Sequence, residues 1–115
     1  MRLDHVQLAI EAGSEDAHRA FWVGCLGFEE EAKPQALAAR GGLWVRHGDV
    51  RVHLGVEDLH RPALKAHPAF AIADIEALAE RLEAYPVDWD DAIPGLRRFF
   101  TADPSGNRIE ILEER

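Results

Sequence analysis

The chain writes nearly the same six letters twice, HVQLAI at residues 5–10 and HPAFAI at residues 67–72, and each copy opens the same succession of patterns. In the first half, RLDHVQLAI at 2–10 alternates polar and apolar residues as a half-buried strand does. Ser14 follows as a candidate N-cap, Glu15 and Asp16 sit where a helix dipole favours acids, and Ala17, Ala20, Phe21 and Cys25 make an apolar stripe that Gly27 ends. A short strand over 28–32 comes next, then GLWVRHG and DVRVHLGV, two strands joined through Gly48-Asp49 as a two-residue hairpin turn. In the second half HPAFAIA is a strand, Asp74 an N-cap, and Ile75, Leu78 and Leu82 the stripe of a helix that Pro86 must stop. A weaker strand over 87–90 precedes the hairpin LRRFFTADPSGNRIEILEE. Each half therefore reads βαβββ. The expectation is an α+β fold, one domain over 1–115 built from two similar modules, about 1–57 and about 66–115, with EDLHRPALKAH between them.

Composition narrows what such a pair of modules can serve. A chain of 115 residues, 47% hydrophobic and without a long apolar run, has the makings of a globular core and no membrane span. A net charge of -8 disfavours nucleic acid, which is bound through Lys and Arg neutralising phosphates, and leaves a small molecule or another protein as the partner. The N-terminus enters a strand pattern at once, with no apolar signal core, and the lone Cys25 can make no internal disulfide; both point to the cytoplasm.

Strand alternation sorts the side chains into two faces. Val6, Leu8, Ile10, Val52, Leu54, Phe70, Ile72, Ile109 and Ile111 share the face that the two helices must cover. His5, His53, His67 and Glu110 fall on the other, at matched places in the two modules. Three imidazoles and one carboxylate suit a divalent transition metal. A single histidine on a half-exposed strand is more often solvated or hydrogen-bonded, and that reading stands beside the ligand reading; the joint, symmetric placement favours ligands. Hairpin register adds neighbours: pairing across Gly48-Asp49 sets Trp44 beside His53. A three-residue loop, with Pro104 starting a type I turn and Gly106 as a left-handed bulge, sets Phe100 beside Glu110 and Arg98 beside Leu112. Trp44 and Phe100 read either as site walls or as packing. Arg98 reads either as a receptor for a carboxylate or phosphate or as a surface charge. His18, His47 and His60 are expected to be solvated, Cys25 to be core, and the ERLEA charges to form the wet face of the second helix.

The segments DHVQLAI, AFWVGCLGF, HPAFAIADIEAL and DPSGNRIEIL resemble the vicinal oxygen chelate superfamily, which includes glyoxalase I, fosfomycin-resistance transferases, extradiol dioxygenases and bleomycin-binding proteins. The resemblance spans essentially the whole chain and is most characteristic in the closing D-P-x-G-x-x-x-E. It implies that the strands of paired βαβββ modules curl into a cup, a curved mixed sheet with helices on its outer face. It implies metal ligands on the first and last strands of each module, the positions of His5, His53, His67 and Glu110. On this reading His5, His67 and Glu110 hold a divalent ion (Mn, Fe, Ni, Co or Zn), as the equivalent set does in fosfomycin transferases. His53 is then a fourth ligand or the general base. Glyoxalase I has a glutamate active in proton transfer at the position of His53, so the chain departs from glyoxalase I at that residue. The polar potassium-binding loop of the transferases is not evident in DDAIPGLRR. The expected function is a small metal-dependent lyase, isomerase, transferase or dioxygenase acting on a small, anionic, oxygen-chelating substrate, with Arg98 on its acidic group and Trp44 and Phe100 against its apolar part. The alternative is a metal-free protein that sequesters a drug, like the bleomycin-resistance members. Because modules in this superfamily often pair between chains, a homodimer is expected.

Overall fold

The computed structural model describes residues 1–115, which divide into two compact units, Met1–Pro62 and Ala63–Arg115. The division falls inside the linker that the sequence pattern separates from both modules.

In the first unit the order is β1 (Val6–Ile10), α1 (Glu15–His18) running on into a π-helical stretch Arg19–Cys25, β2 (Glu29–Glu31), a 3₁₀ stretch Gln35–Arg40, β3 (Leu43–His47) and β4 (Val50–Val56). They form a four-stranded sheet in the order β1-β4-β3-β2, with β1 parallel to β4 and the other pairs antiparallel. The second unit repeats the plan with β5 (Ala69–Ile72), α2 (Ile75–Arg81), β6 (Asp88–Asp90), β7 (Arg98–Ala102) and β8 (Arg108–Glu113), in the order β5-β8-β7-β6. A parallel pair needs a crossover connection, and the helix with the following strands supplies it in each unit. The α+β class and the βαβββ plan of both halves are thus present.

The apolar sides of the strands pack as alternation requires. In the first unit Leu43, Val45, Val52 and Leu54 are buried with Phe21 and Trp22. In the second, Phe99, Ile109 and Ile111 are buried with Ile75, Leu78 and Leu82 of the α2 segment. No helix is long and apolar enough to cross a membrane.

Both hairpin registers follow the turn chemistry. Gly48, at φ 58°, closes β3–β4 so that Trp44 pairs with His53. Gly106, at φ 80°, takes the left-handed place in the β7–β8 loop, where the Asp103 N–H donates to the Asn107 carbonyl at 3.1 Å. The Asp103 carboxylate, itself buried, accepts from the backbone N–H groups of Ser105 and Asn107 and from the Asn107 amide, each at 2.9 Å. One carboxylate thus satisfies three donors of the turn, and Phe100 pairs with Glu110 and Arg98 with Leu112.

The first helix departs from the expected pattern. Ser14 makes no side-chain cap, its hydroxyl donating to the Glu11 carbonyl at 2.7 Å instead. Ala17 and Ala20 are exposed and Cys25 only half-buried, while His18, Phe21 and Trp22 are fully buried. The π-helical stretch explains the change, because more residues per turn narrow the angle between successive side chains and let Phe21 and Trp22 both face inward. Their rings meet edge to face at 5.3 Å. His18, expected in solvent, accepts a hydrogen bond at Nδ1 from the Trp22 indole at 3.2 Å. The His60 side chain is also withdrawn from solvent, at 2% exposure, beside Glu57, whereas His47 is exposed as expected. The second helix starts as read, Asp74 accepting from the Ala77 N–H at 3.0 Å, but stops at Arg81, ahead of Pro86, with Leu82 buried in a turn.

Candidate functional site

In the first unit, β1 and β4 bring His5 and His53 side by side, and β3 lays Trp44 against the far face of His53. The His5 and His53 rings stack at 4.0 Å and 16°, and the Trp44 and His53 rings at 3.8 Å and 3°. His53 is buried and held by its two ring neighbours, with no hydrogen bond to its imidazole. Burial, then the adjacent His5, pushes its pKa below the ordinary 6.5. The ring therefore stays neutral near pH 7 and keeps a lone pair for a metal or a proton. These side chains, with Asp4, Gln7, Glu31, Leu37 and Arg51, line a hollow of about 510 Å³.

In the second unit β5 and β8 set His67 against Glu110, with Nε2 2.9 Å from Oε1. The other carboxylate oxygen accepts from Arg98 Nη1 at 3.3 Å, and Arg98 Nη2 reaches Asp90 at 3.4 Å. Phe100 meets His67 edge to face at 5.3 Å and lies under the Arg108 guanidinium at 4.0 Å. Glu110 is buried and Arg98 only 16% exposed. The arginine expected to receive a substrate anion thus already lies between two carboxylates.

One feature is common to both units. The His5 Nδ1 is 2.8 Å from the Asp4 carboxylate, and the His67 Nδ1 is 2.8 Å from the Lys65 carbonyl. An oxygen acceptor at that distance favours the proton on Nδ1, which leaves the lone pair of a neutral His5 ring on Nε2, the arrangement usual in metal-ligating histidines; His67 has an oxygen at each ring nitrogen, the Lys65 carbonyl at Nδ1 and Glu110 Oε1 at Nε2. The bond to His5 also holds the Asp4 carboxyl below its usual range. The His67–Glu110 contact is an ordinary hydrogen bond when Nε2 carries the ring proton. Imidazole nitrogens and carboxylate oxygens are donors that suit a divalent ion. Neither unit by itself gathers three His, Cys, Asp or Glu side chains into a metal-holding group.

The strand pattern placed His53, Trp44, Glu110, Phe100 and Arg98 on the strand faces where they stand, whereas His5 and His67, read as strand residues, lie just ahead of β1 and β5. It did not single out Asp4, the Lys65 carbonyl, Asp90 or Arg108. Asp4 had a signal, a carboxylate immediately before the histidine. Arg108 shares its strand face with Glu110 by simple alternation.

The glyoxalase/bleomycin resistance protein/dioxygenase superfamily model matches residues 2–111. The chain belongs to that superfamily. A protein from Bacillus anthracis assigned to the glyoxalase family is 41% identical, with a TM-score of 0.93 over 100% of this chain and 96% of the other. More distant solved structures share the fold. The genomically encoded fosfomycin resistance protein FosX from Listeria monocytogenes is 16% identical, with a TM-score of 0.79 over 100% of this chain and 94% of its own. The antibiotic binding protein TnmS3 from Streptomyces sp. CB03234 is 23% identical, with a TM-score of 0.71 over 100% of this chain and 99% of its own. No curated protein matches the chain.

Proposed function

We propose that this superfamily member is a divalent-metal-dependent enzyme acting on a small, anionic, oxygen-chelating substrate, with His5, His67 and Glu110 as ligands. The observation that supports the reading is the His5 Nδ1 pinned on Asp4, which leaves its Nε2 lone pair, together with the His67 Nε2 and the Glu110 Oε1 brought side by side at 2.9 Å as a nitrogen and an oxygen donor. When bound, a divalent ion supplies Lewis-acid polarisation of substrate oxygens. His53, neutral through its burial, is the fourth ligand or the proton acceptor. Trp44 and Phe100 supply apolar walls for the rest of the substrate. The protein works as a homodimer, and the lone Cys25 suits the reducing cytoplasm.

Metal analysis of untagged protein purified without chelator tests this reading. We expect near-stoichiometric Mn, Fe, Ni, Co or Zn, lost in a His5→Ala, Glu110→Ala double variant. A parent that is empty and cannot be reloaded with any of these ions refutes it. Light scattering at micromolar concentration checks the dimer, for which a monomeric mass is the adverse result.

The competing reading, a metal-free drug binder, draws on the flat His5–His53–Trp44 stack beside its 510 Å³ hollow, which offers a planar aromatic molecule a matching surface. Tight binding of such a molecule by protein that takes up no metal would decide for it.

A further inference from the structure

We propose that the substrate's anionic group is received by Arg108, and that Arg98, the arginine singled out by hairpin register, orients Glu110 instead. The inference rests on the function proposed above for the presence of an anionic substrate. Its own content is the division of labour between two arginines of one sheet face.

Arg98 is committed. Its Nη1 donates to Glu110 and its Nη2 lies against Asp90, so its charge is more than offset by two carboxylates at 3.3 and 3.4 Å. An incoming anion would have to displace one of them or join two like charges. The same contacts give Arg98 a different use: they fix the Glu110 Oε2, leaving Oε1 directed at the His67 Nε2. A buried carboxylate needs such a partner to hold one rotamer and to stay ionised.

Arg108 differs at each point. It has no carboxylate partner; its hydrogen bond goes from Nη1 to the Lys65 carbonyl at 3.3 Å, beside the His67 Nδ1 at 3.4 Å. Its guanidinium lies over the Phe100 ring at 4.0 Å. Stacking holds the plane of the fork while leaving in-plane donors for a carboxylate or phosphonate. It is half-exposed, so an anion can reach it. One residue of β8, Ile109, separates it from Glu110, so the two side chains rise from the same face about 6.5 Å apart. That spacing suits a small carboxylate or phosphonate whose second oxygen function lies a few bonds away, at the His67–Glu110 end. The matched residue of the first unit, Arg51, has an acid beside it, Glu31 at 4.0 Å. Of the two matched positions, only the one in the second unit leaves its cation free for a ligand.

Phosphonoacetate, titrated calorimetrically into the full-length protein, is the probe, once with EDTA present and once with one equivalent of Mn²⁺. Mn²⁺ affinity is measured separately. Arg108→Met keeps the stem over Phe100 but removes the donors, and should weaken phosphonoacetate about tenfold or more in both states, with Mn²⁺ affinity within about twofold of the parent. Arg108→Lys should recover part of the loss. Arg98→Met should do the reverse, leaving phosphonoacetate with EDTA within about twofold while weakening Mn²⁺ about tenfold. Parental binding by Arg108→Met, loss of phosphonoacetate in Arg98→Met with Mn²⁺ affinity intact, or no binding to the parent in either state overturns the proposal. A parent that binds no Mn²⁺ yet shows the Arg108 dependence in EDTA refutes the metal reading and leaves the anion receptor standing.

Discussion

The two units place side chains at the same register positions and fill them with opposite chemistry. His53 and Glu110 are equivalent, each opposite an aromatic residue of the neighbouring strand, Trp44 or Phe100. In the first unit the site is a stack of three flat rings with a neutral imidazole at its centre. In the second it is a chain of polar contacts running from His67 through the charged groups of Glu110 and Arg98 to Asp90. The difference follows from the donor. An imidazole can shed its proton and be buried between rings at little cost, whereas a buried carboxylate stays charged only if cations and donors surround it. A Glu in place of a His therefore brings with it an arginine and that arginine's own acid.

The hairpins that set these registers differ in the same way, and breaking them should separate the units most strongly. The second is held by a side chain. Asp103→Ala would leave the buried N–H groups of Ser105 and Asn107 without their acceptor. We expect a loss of about 3 kcal/mol, read from urea unfolding. A loss below about 1 kcal/mol would mean that water or a shifted backbone replaces the carboxylate.

The first hairpin is held by backbone conformation alone. Gly48 sits at φ 58° with open space around its Cα, so Gly48→Ala adds no clash and carries only the strain of a left-handed residue. The expected loss is about 1 kcal/mol by the same measurement. A loss matching that of Asp103→Ala would erase the distinction between the turns.

These turns are also why so much of the fold was legible. Gly48-Asp49 and DPSGN each specify one loop geometry, and strand register is then arithmetic, which is how Trp44 was set beside His53 and Phe100 beside Glu110. Where no such device exists the reading failed. The stretch Arg19–Cys25 is π-helical, so a stripe drawn at α-helical spacing chose Ala17 and Ala20 and passed over His18 and Trp22. The 3₁₀ stretch Gln35–Arg40 buries no residue and has no apolar period to read. The contact of Arg98 with Asp90 was hidden because it comes through the short, weakly patterned strand β6.

The smallest expected effect tests the ring stack itself. Burial lowers the His53 pKa below the 6.5 of an exposed imidazole. As pH falls through 6.5 the unfolded chain takes up this proton before the folded one does. The unfolded state then binds more protons, and stability declines with falling pH until the folded pKa is passed, below which the deficit is constant. His53→Gln keeps a flat polar side chain but cannot titrate, so it should remove this component of the decline. The comparison is best made in EDTA between pH 7.5 and 5.5. Above that lower limit the paired carboxyls Asp4, Glu15 and Glu30, whose pKa values are held below the ordinary carboxylate range, stay ionised in both chains and cancel. Urea midpoints of the parent should fall relative to those of the variant across this window. Parallel curves would mean that the imidazole is as well solvated in the stack as in the unfolded chain, and the contrast between a neutral site in one unit and a charged site in the other would no longer hold.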